Sequence, residues 1–259
     1  MRRAALVLVA GLAWGCSTVP DDELLASAAL IRELDRESAD VIEVARFSQR
    51  KAGPLPDVWQ PWIVLPSKPR TQYRLVESDS GVVLQADAER AASGTYRRIR
   101  IDPARHPILE WRWRVPRLID GADPRHAGAE DSPARLVVSF HGDEEKLGME
   151  DRVKLRLAKA LSGQPLPYAT LMYIWSNDLA PGTVVHNPHT GRIRMLVVES
   201  GASATGSWRS VRRNVLEDYR RAFGEDPWDI VAIGVMTDSD NTASRAQGFY
   251  GDITMRRGE

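Results

Sequence analysis

Two stretches of the chain alternate aromatic side chains with charged or aliphatic ones. In Ile108-Leu109-Glu110-Trp111-Arg112-Trp113-Arg114-Val115, a strand would put Leu109, Trp111 and Trp113 on one face. Glu110, Arg112 and Arg114 would then lie on the other. Leu171, Tyr173 and Trp175 share a face in the same way. Sugars are held by stacking their apolar ring faces on Trp or Tyr while charged groups hydrogen-bond the hydroxyls. Trp111, Arg112, Trp113, Arg114, Tyr173 and Trp175 are therefore candidate ligand-binding residues. The competing reading makes the aromatics core and the Glu/Arg row a solvated face, since aromatic alternation is also what cores look like.

A second constellation is Thr237-Asp238-Ser239-Asp240-Asn241-Thr242, the most polar cluster of the C-terminal half. Its spacing starts like an EF-hand. Ala243 then stands where that loop needs Gly, and Phe249 where it needs a bidentate Glu, so an EF-hand is rejected. A calcium site of another shape, or an Asx-rich turn held by its own side chains, stays open. Other signatures fail. Gly201-Ala202-Ser203-Ala204-Thr205 lacks the second glycine of a nucleophile elbow. Pro188 between His186 and His189 forbids the helix that would aim both at one zinc. Phosphate loops and dinucleotide fingerprints are absent. Adjacent acids such as Glu130-Asp131 and Glu217-Asp218 occur, but their separation across a cleft cannot be read from sequence.

The elements that must position these residues are mostly strands. Period-two or short apolar runs predict strands at Val41–Phe47, Gln72–Glu77, Val82–Ala88, Thr95–Ile101, Ile108–Val115, Ala134–Phe140, Thr170–Trp175, Ile193–Glu199, Ile230–Thr237 and Gly248–Met255. Gly, Pro, Asp and Asn clusters separate them. The expected fold is mostly β: an antiparallel, jelly-roll-like β-sandwich with two inserted helices. One helix is predicted at Leu147–Leu161, with Met149, Val153, Leu157 and Leu161 on one stripe and Arg152, Arg156 and Lys159 facing away. The other is predicted at Val211–Phe223, stopping at Gly224.

The N-terminus reads as an address. Met1-Arg2-Arg3 leads into an apolar run from Ala4 to Gly15 that is too short to span a bilayer, which is the pattern of a signal peptide. Leu12-Ala13-Trp14-Gly15-Cys16 resembles the lipobox of bacterial lipoproteins, in which the cysteine is diacylated and becomes the mature N-terminus. Cys16 is the sole cysteine of the chain, so disulfides play no part. Acyl chains on Cys16 would anchor the protein firmly to a membrane. Ser17, in place of Asp, implies by the sorting rule of lipoproteins an outer-membrane lipoprotein facing the periplasm. The expected organisation is a signal peptide at 1–15, a lipid-anchored tether at 16–40 and a single β-sandwich domain at 41–259. Acids and bases balance at 35 each, so no global field draws the protein to nucleic acid.

Tyr250-Gly251-Asp252-Ile253-Thr254-Met255 resembles the last strand of jelly-roll carbohydrate-binding modules. That resemblance implies a structural calcium, with Glu43 and Asp252 as its candidate ligands. Several further segments, in order, resemble an uncharacterised bacterial family, the domain of unknown function numbered 3047. They are Leu109-Glu110-Trp111-Arg112-Trp113, Glu130-Asp131 with Ala134-Arg135-Leu136, and Met172-Tyr173-Ile174-Trp175. Next come Ser200-Gly201 with Gly206-Ser207-Trp208, and Arg213-Asn214-Val215 with Asp218-Tyr219 and Phe223-Gly224. Thr237–Thr242 and Tyr250-Gly251-Asp252 complete the set, which spans residues 42–256 and implies one intact exported domain without assigning an activity. Asp131, Arg135, Asn214, Asp218, Asp238, Asp240 and Asn241 are its candidate polar site. The leading expectation is a non-catalytic binding domain for a glycan or other envelope ligand. A polysaccharide hydrolase or lyase and a purely structural lipoprotein are the alternatives.

Overall fold

The computed structural model describes residues 39–162, 166–188 and 190–258. The signal peptide, Cys16, most of the tether and His189 lie outside them. Fourteen strands are present among the described residues: β1 Val41–Ala45, β2 Gly53–Pro54, β3 Trp59–Ile63, β4 Gln72–Val76, β5 Val83–Glu89, β6 Ala92–Ile101 and β7 Ile108–Arg114, then β8 Ser132–Phe140, β9 Ala169–Ser176, β10 Val184–His186, β11 Ile193–Ser200, β12 Arg209–Asn214, β13 Ile230–Asp238 and β14 Arg245–Arg256. Helix α1 (Met149–Ser162) is inserted between β8 and β9, and α2 (Val215–Phe223) follows β12. No helix among the described residues is long and apolar enough to cross a membrane.

The strands form two seven-stranded sheets packed as a sandwich. Sheet one runs β12-β7-β14-β5-β4-β2, and β1 pairs with the C-terminal half of β14. Sheet two runs β10-β11-β9-β8-β13-β6-β3. All pairings are antiparallel except β11 with β9. That parallel pair is possible because β10 takes up part of the return path, pairing antiparallel with β11.

The alternation read in β7 and β9 fills the space between the sheets. Leu109, Trp111 and Trp113 from sheet one meet Leu171, Tyr173 and Trp175 from sheet two, all buried. Ring centroids lie 5.1 Å apart for Trp111–Tyr173 and 6.2 Å for Trp113–Trp175. Such pairs add cohesion beyond the apolar area they bury. The expectation that Trp111, Trp113, Tyr173 and Trp175 form a ligand platform is therefore corrected: no ligand can reach them without opening the sandwich.

One further correction concerns the second helix. The segment from Val211 is not helical at its start. Arg209–Asn214 pairs with β7 as an edge strand, and Asn214 then caps α2 by accepting from the Glu217 amide at 3.2 Å. Val211 still packs on the core, which is why its spacing to Val215 imitates a helical stripe. Glu43 is ion-paired to Arg46, while Asp252 accepts from the Ser48 amide at 2.9 Å and its hydroxyl at 2.5 Å. Asp240 sits in the β13–β14 turn, whereas Asp252 lies seven residues into β14. At about 3.3 Å per residue that distance exceeds any coordination sphere, so Asp240 could not join an ion held by Glu43 and Asp252.

Candidate functional site

The β8–β13 pairing assembles most of the expected polar site at one end of sheet two. Arg135, only 1% exposed, projects from the outer face of β8. Its Nε and Nη2 donate to the two oxygens of Asp238 at 3.1 and 2.9 Å. Nη1 lies 3.3 Å from the Glu130 carboxylate and Nη2 donates to the Glu130 carbonyl at 2.5 Å. The sulfurs of Met195 and Met172 lie 3.4 and 3.8 Å from Nη1. Asp131 accepts from the amides of Asn241 at 3.2 Å and Thr242 at 2.7 Å, and from the Thr242 hydroxyl at 2.6 Å. Asp240 is ion-paired to Lys68.

Burial pushes the Asp238 carboxyl up to about 7. Arg135 pulls the other way, while the like charges of Asp131 and Glu130 add to the rise. Carboxylate oxygens of Asp131, Asp238 and Asp240 lie within 4.8 Å of one another, so these are the residues that could hold a divalent cation. Two of them already carry cations of the protein, Arg135 and Lys68. Glycoside hydrolysis needs carboxyl groups about 5–9.5 Å apart with substrate between them. This cluster is tighter than that, and both oxygens of Asp131 and of Asp238 accept from protein donors, as does one oxygen of Asp240. It locks the Asp-rich turn to the sheet.

Asn214 and Asp218 are not part of it. Buried Asp218 accepts from Arg213 Nε at 2.9 Å and from the Tyr173 hydroxyl at 3.0 Å, pinning α2 to the core. Burial and the neighbouring Asp218 carboxylate raise the Tyr173 phenol well above its ordinary value, so it remains a donor. Arg112 and Arg114 lie on the outer face of sheet one, stacked over Trp208 at 5.0 and 5.5 Å. A shallow hollow of about 330 Å³ beside them is lined by Glu110, Arg112, Arg212 and Asp252.

The better-formed cavity, about 310 Å³, lies on the outer face of sheet two. Register explains its shape. One row across the sheet reads Gln60, Tyr96, Gly234, Val137 and Met172; the next reads Trp62, Gly94, Met236, Arg135 and Ile174. The glycines leave a trough between the aromatics of β3 and β6 and the strands β8 and β9. A Cβ on Gly94 would come within 3.0 Å of the Trp62 ring, so glycine is what lets Trp62 lie over β6. Tyr168 lies so close to Gly142 that a Cβ there would sit 2.2 Å from its ring.

Trp62, Tyr96, Tyr168 and His141 line the trough, with Arg98 and Glu144 as its charged groups. Trp228, 48% exposed, stacks on His141 at 5.4 Å and extends the rim. Burial raises the Tyr168 phenol, opposed by Arg192, whose guanidinium lies 4.1 Å from the ring centroid. None of these residues stood out in sequence. The available signal was Trp59-Gln60-Pro61-Trp62, aromatics flanking a proline, which fits an edge strand such as β3.

A family model described as "Protein of unknown function (DUF3047)" matches residues 57–254. No curated protein matches the chain in sequence. Among solved structures, the chain is similar to the family 11 carbohydrate-binding module of cellulosomal cellulase Lic26A-Cel5E of Clostridium thermocellum, with TM-score 0.42 and 8% identity over 85% of this chain and 97% of that one. It is similar to the xyloglucanase domain of NopAA from Sinorhizobium fredii, with TM-score 0.40 and 7% identity over 83% and 100% of the two chains. Endoglucanase 3 of Trichoderma harzianum gives TM-score 0.37 and 9% identity over 85% and 99%.

Proposed function

The chain belongs to the DUF3047 family over most of its length, and from that premise we propose that it is an exported lipoprotein whose sheet-two trough binds a glycan of the cell envelope without cleaving it. The observation that carries this reading is the trough itself. Trp62 and Tyr96 enter from β3 and β6, and Tyr168 and His141 from the ends of β9 and β8, around a floor opened by Gly234. Ring faces of a sugar would stack on the aromatics, and Arg98, Glu144 and Ser139 would meet its hydroxyls. Hydrolysis would need two carboxylates facing across the bond, and Glu144 is the one carboxylate among the lining residues. In this reading an acylated Cys16 followed by Ser17 would anchor the domain to the outer membrane, facing the periplasm.

The test incubates the purified protein with envelope and plant polysaccharides and with peptidoglycan, recording binding and release of new sugar ends. Binding without release is expected, weakened at least tenfold by Trp62→Ala and by Tyr96→Ala and retained by Arg112→Ala. Release of ends would replace this reading with hydrolysis or elimination. Silence from a folded sample would sink the glycan reading. Mass spectrometry of the mature N-terminus tests the anchor separately, and an unacylated Cys16 would remove it.

A further inference from the structure

The trough on sheet two has two charged lining residues, Arg98 and Glu144, and only one of them is matched within the protein. Glu144 is ion-paired to Lys159 at 2.6 Å. Neighbouring charges are matched as well. Arg100, two residues beyond Arg98 on β6, pairs with Asp229 at 2.6 Å, and Arg192, stacked on Tyr168, pairs with Glu225 at 2.8 Å. Arg98 is exposed and makes no ion pair or hydrogen bond among the described residues.

Register fixes where that charge stands. Arg98 pairs with Ala232 and Ala232 with Ser139, so this row crosses β6, β13 and β8 next to the row of Tyr96, Gly234 and Val137. Two strand spacings, about 10 Å, separate Arg98 from Ser139. Ala232 and Gly234 form the floor between them, and neither carries anything larger than a methyl group. Tyr96 and Arg98 share one face of β6, about 7 Å apart along the strand. A pyranose stacked on Tyr96 would therefore present its ring substituents to the guanidinium.

The chemistry of the free group says which substituent fits. A guanidinium is a planar fork that matches the two oxygens of a carboxylate, and it stays charged at every physiological pH. Glu144, its charge answered by Lys159, offers little repulsion to an incoming anion. We propose that the trough selects an acidic glycan, a polysaccharide containing uronic-acid residues, whose carboxylate seats on Arg98 while its ring stacks on Tyr96. This rests on the glycan reading and names the class of sugar that the same site takes.

The experiment measures binding of the purified protein to polygalacturonate, alginate and polyglucuronate, each beside its methyl ester, which keeps the ring and removes the charge. Neutral β-glucan and dextran sulfate complete the panel. At least one acid form is expected to bind about tenfold tighter than its ester, the size of one charge-assisted contact. Arg98→Ala should bring the two affinities together. Arg98→Lys keeps the charge without the fork and should restore only part of the difference. Trp62→Ala should weaken acid and ester by the same factor and so preserve their ratio. Arg98 is exposed and unpaired, and an unaltered melting temperature of its variants confirms their fold. Equal binding of every acid and its ester, or a preference that survives Arg98→Ala, would overturn the acidic-glycan inference and leave the trough reading standing. Dextran sulfate held as tightly as the best polyuronate would overturn it in favour of a general polyanion site. Binding of no glycan, neutral or acidic, would sink the trough reading and this inference together.

Discussion

The two outer faces of the sandwich are built from the same kind of strand and do opposite things. On sheet one, charged side chains satisfy one another across strands. Glu110 accepts from Arg212 at 3.1 Å and from Arg256 at 2.5 Å. Arg112 and Arg114 spend their faces on Trp208 and, for Arg114, also on Phe249 at 4.4 Å. On sheet two, the outer face carries its own buried apolar cluster, with Val137, Met172, Ile174, Met195 and Met236. A single buried guanidinium stands among them, and an aromatic trough opens beside it. A face that pairs its own charges leaves a ligand little to gain. A face with aromatics, glycines and few charges leaves surface to be covered.

The sharpest way to break this contrast is to remove one arginine from each face. Arg135→Ala should cost about 3–5 kcal/mol, because it leaves the buried Asp238 without its partner. Arg112→Ala, at a half-buried surface position, should cost no more than about 1 kcal/mol. Urea denaturation measures both, and equal losses would mean that the two faces are organised alike.

What was legible beforehand follows from what a period of two can report. The long strands alternate strongly, and their inward residues, Leu109, Trp111 and Trp113 among them, were visible as one face. Alternation does not say whether that face looks at a ligand or at another sheet, and here it looks at another sheet. The short or edge strands β2, β3, β10 and β12 were not visible, because Pro54 and Pro61 interrupt two of them and Arg209–Asn214 carries one apolar residue in six. The trough depends on Trp62 and Tyr96 standing in adjacent rows beside Gly94 and Gly234, and register is not written in local pattern. Asp131, Arg135, Asp238, Asp240 and Asn241 were foreseen as polar residues to be brought together. Asn214 and Asp218 were grouped with them by type alone, and turned out to serve a helix cap and its pin.

Within sheet two, Trp62→Ala should separate binding from folding. Loss of this half-buried stacking ring should reduce glycan affinity by about 2 kcal/mol, roughly thirtyfold, with a smaller change in stability of about 1 kcal/mol. Titration calorimetry and thermal melts read the two quantities. A large stability loss with unchanged affinity would make Trp62 a packing residue and return the trough to the status of the other face.

The polar end of sheet two should respond to pH. The Asp238 carboxyl is raised by burial to about 7, above its ordinary value of 3.8. A carboxyl raised in the fold contributes stability that is fully present below the unfolded value and is lost as pH rises through about 7. Between about pH 5 and about pH 8 the melting temperature should fall by a few degrees, and Asp238→Asn should flatten that fall. A profile that rises over this range and is levelled by Asp238→Asn would mean that Arg135 holds the carboxylate ionised.

The smallest effect belongs to the charged face, and it bounds the comparison from below. Glu110 is 31% exposed and sits between Arg212 and Arg256, themselves 53% and 46% exposed. Solvent screens such pairs, and holding long side chains in one geometry costs entropy, so exposed ion pairs contribute about 0.2–1 kcal/mol. Glu110→Gln keeps the shape and removes the charge. Its cost in urea denaturation should stay below about 1 kcal/mol and shrink further in molar salt, where the Debye length falls to about 3 Å. A cost near that of Arg135→Ala, persisting in salt, would show that sheet one holds its ladder as rigidly as sheet two holds its buried arginine. The claim that one face is solvated lattice and the other a binding surface would then fail.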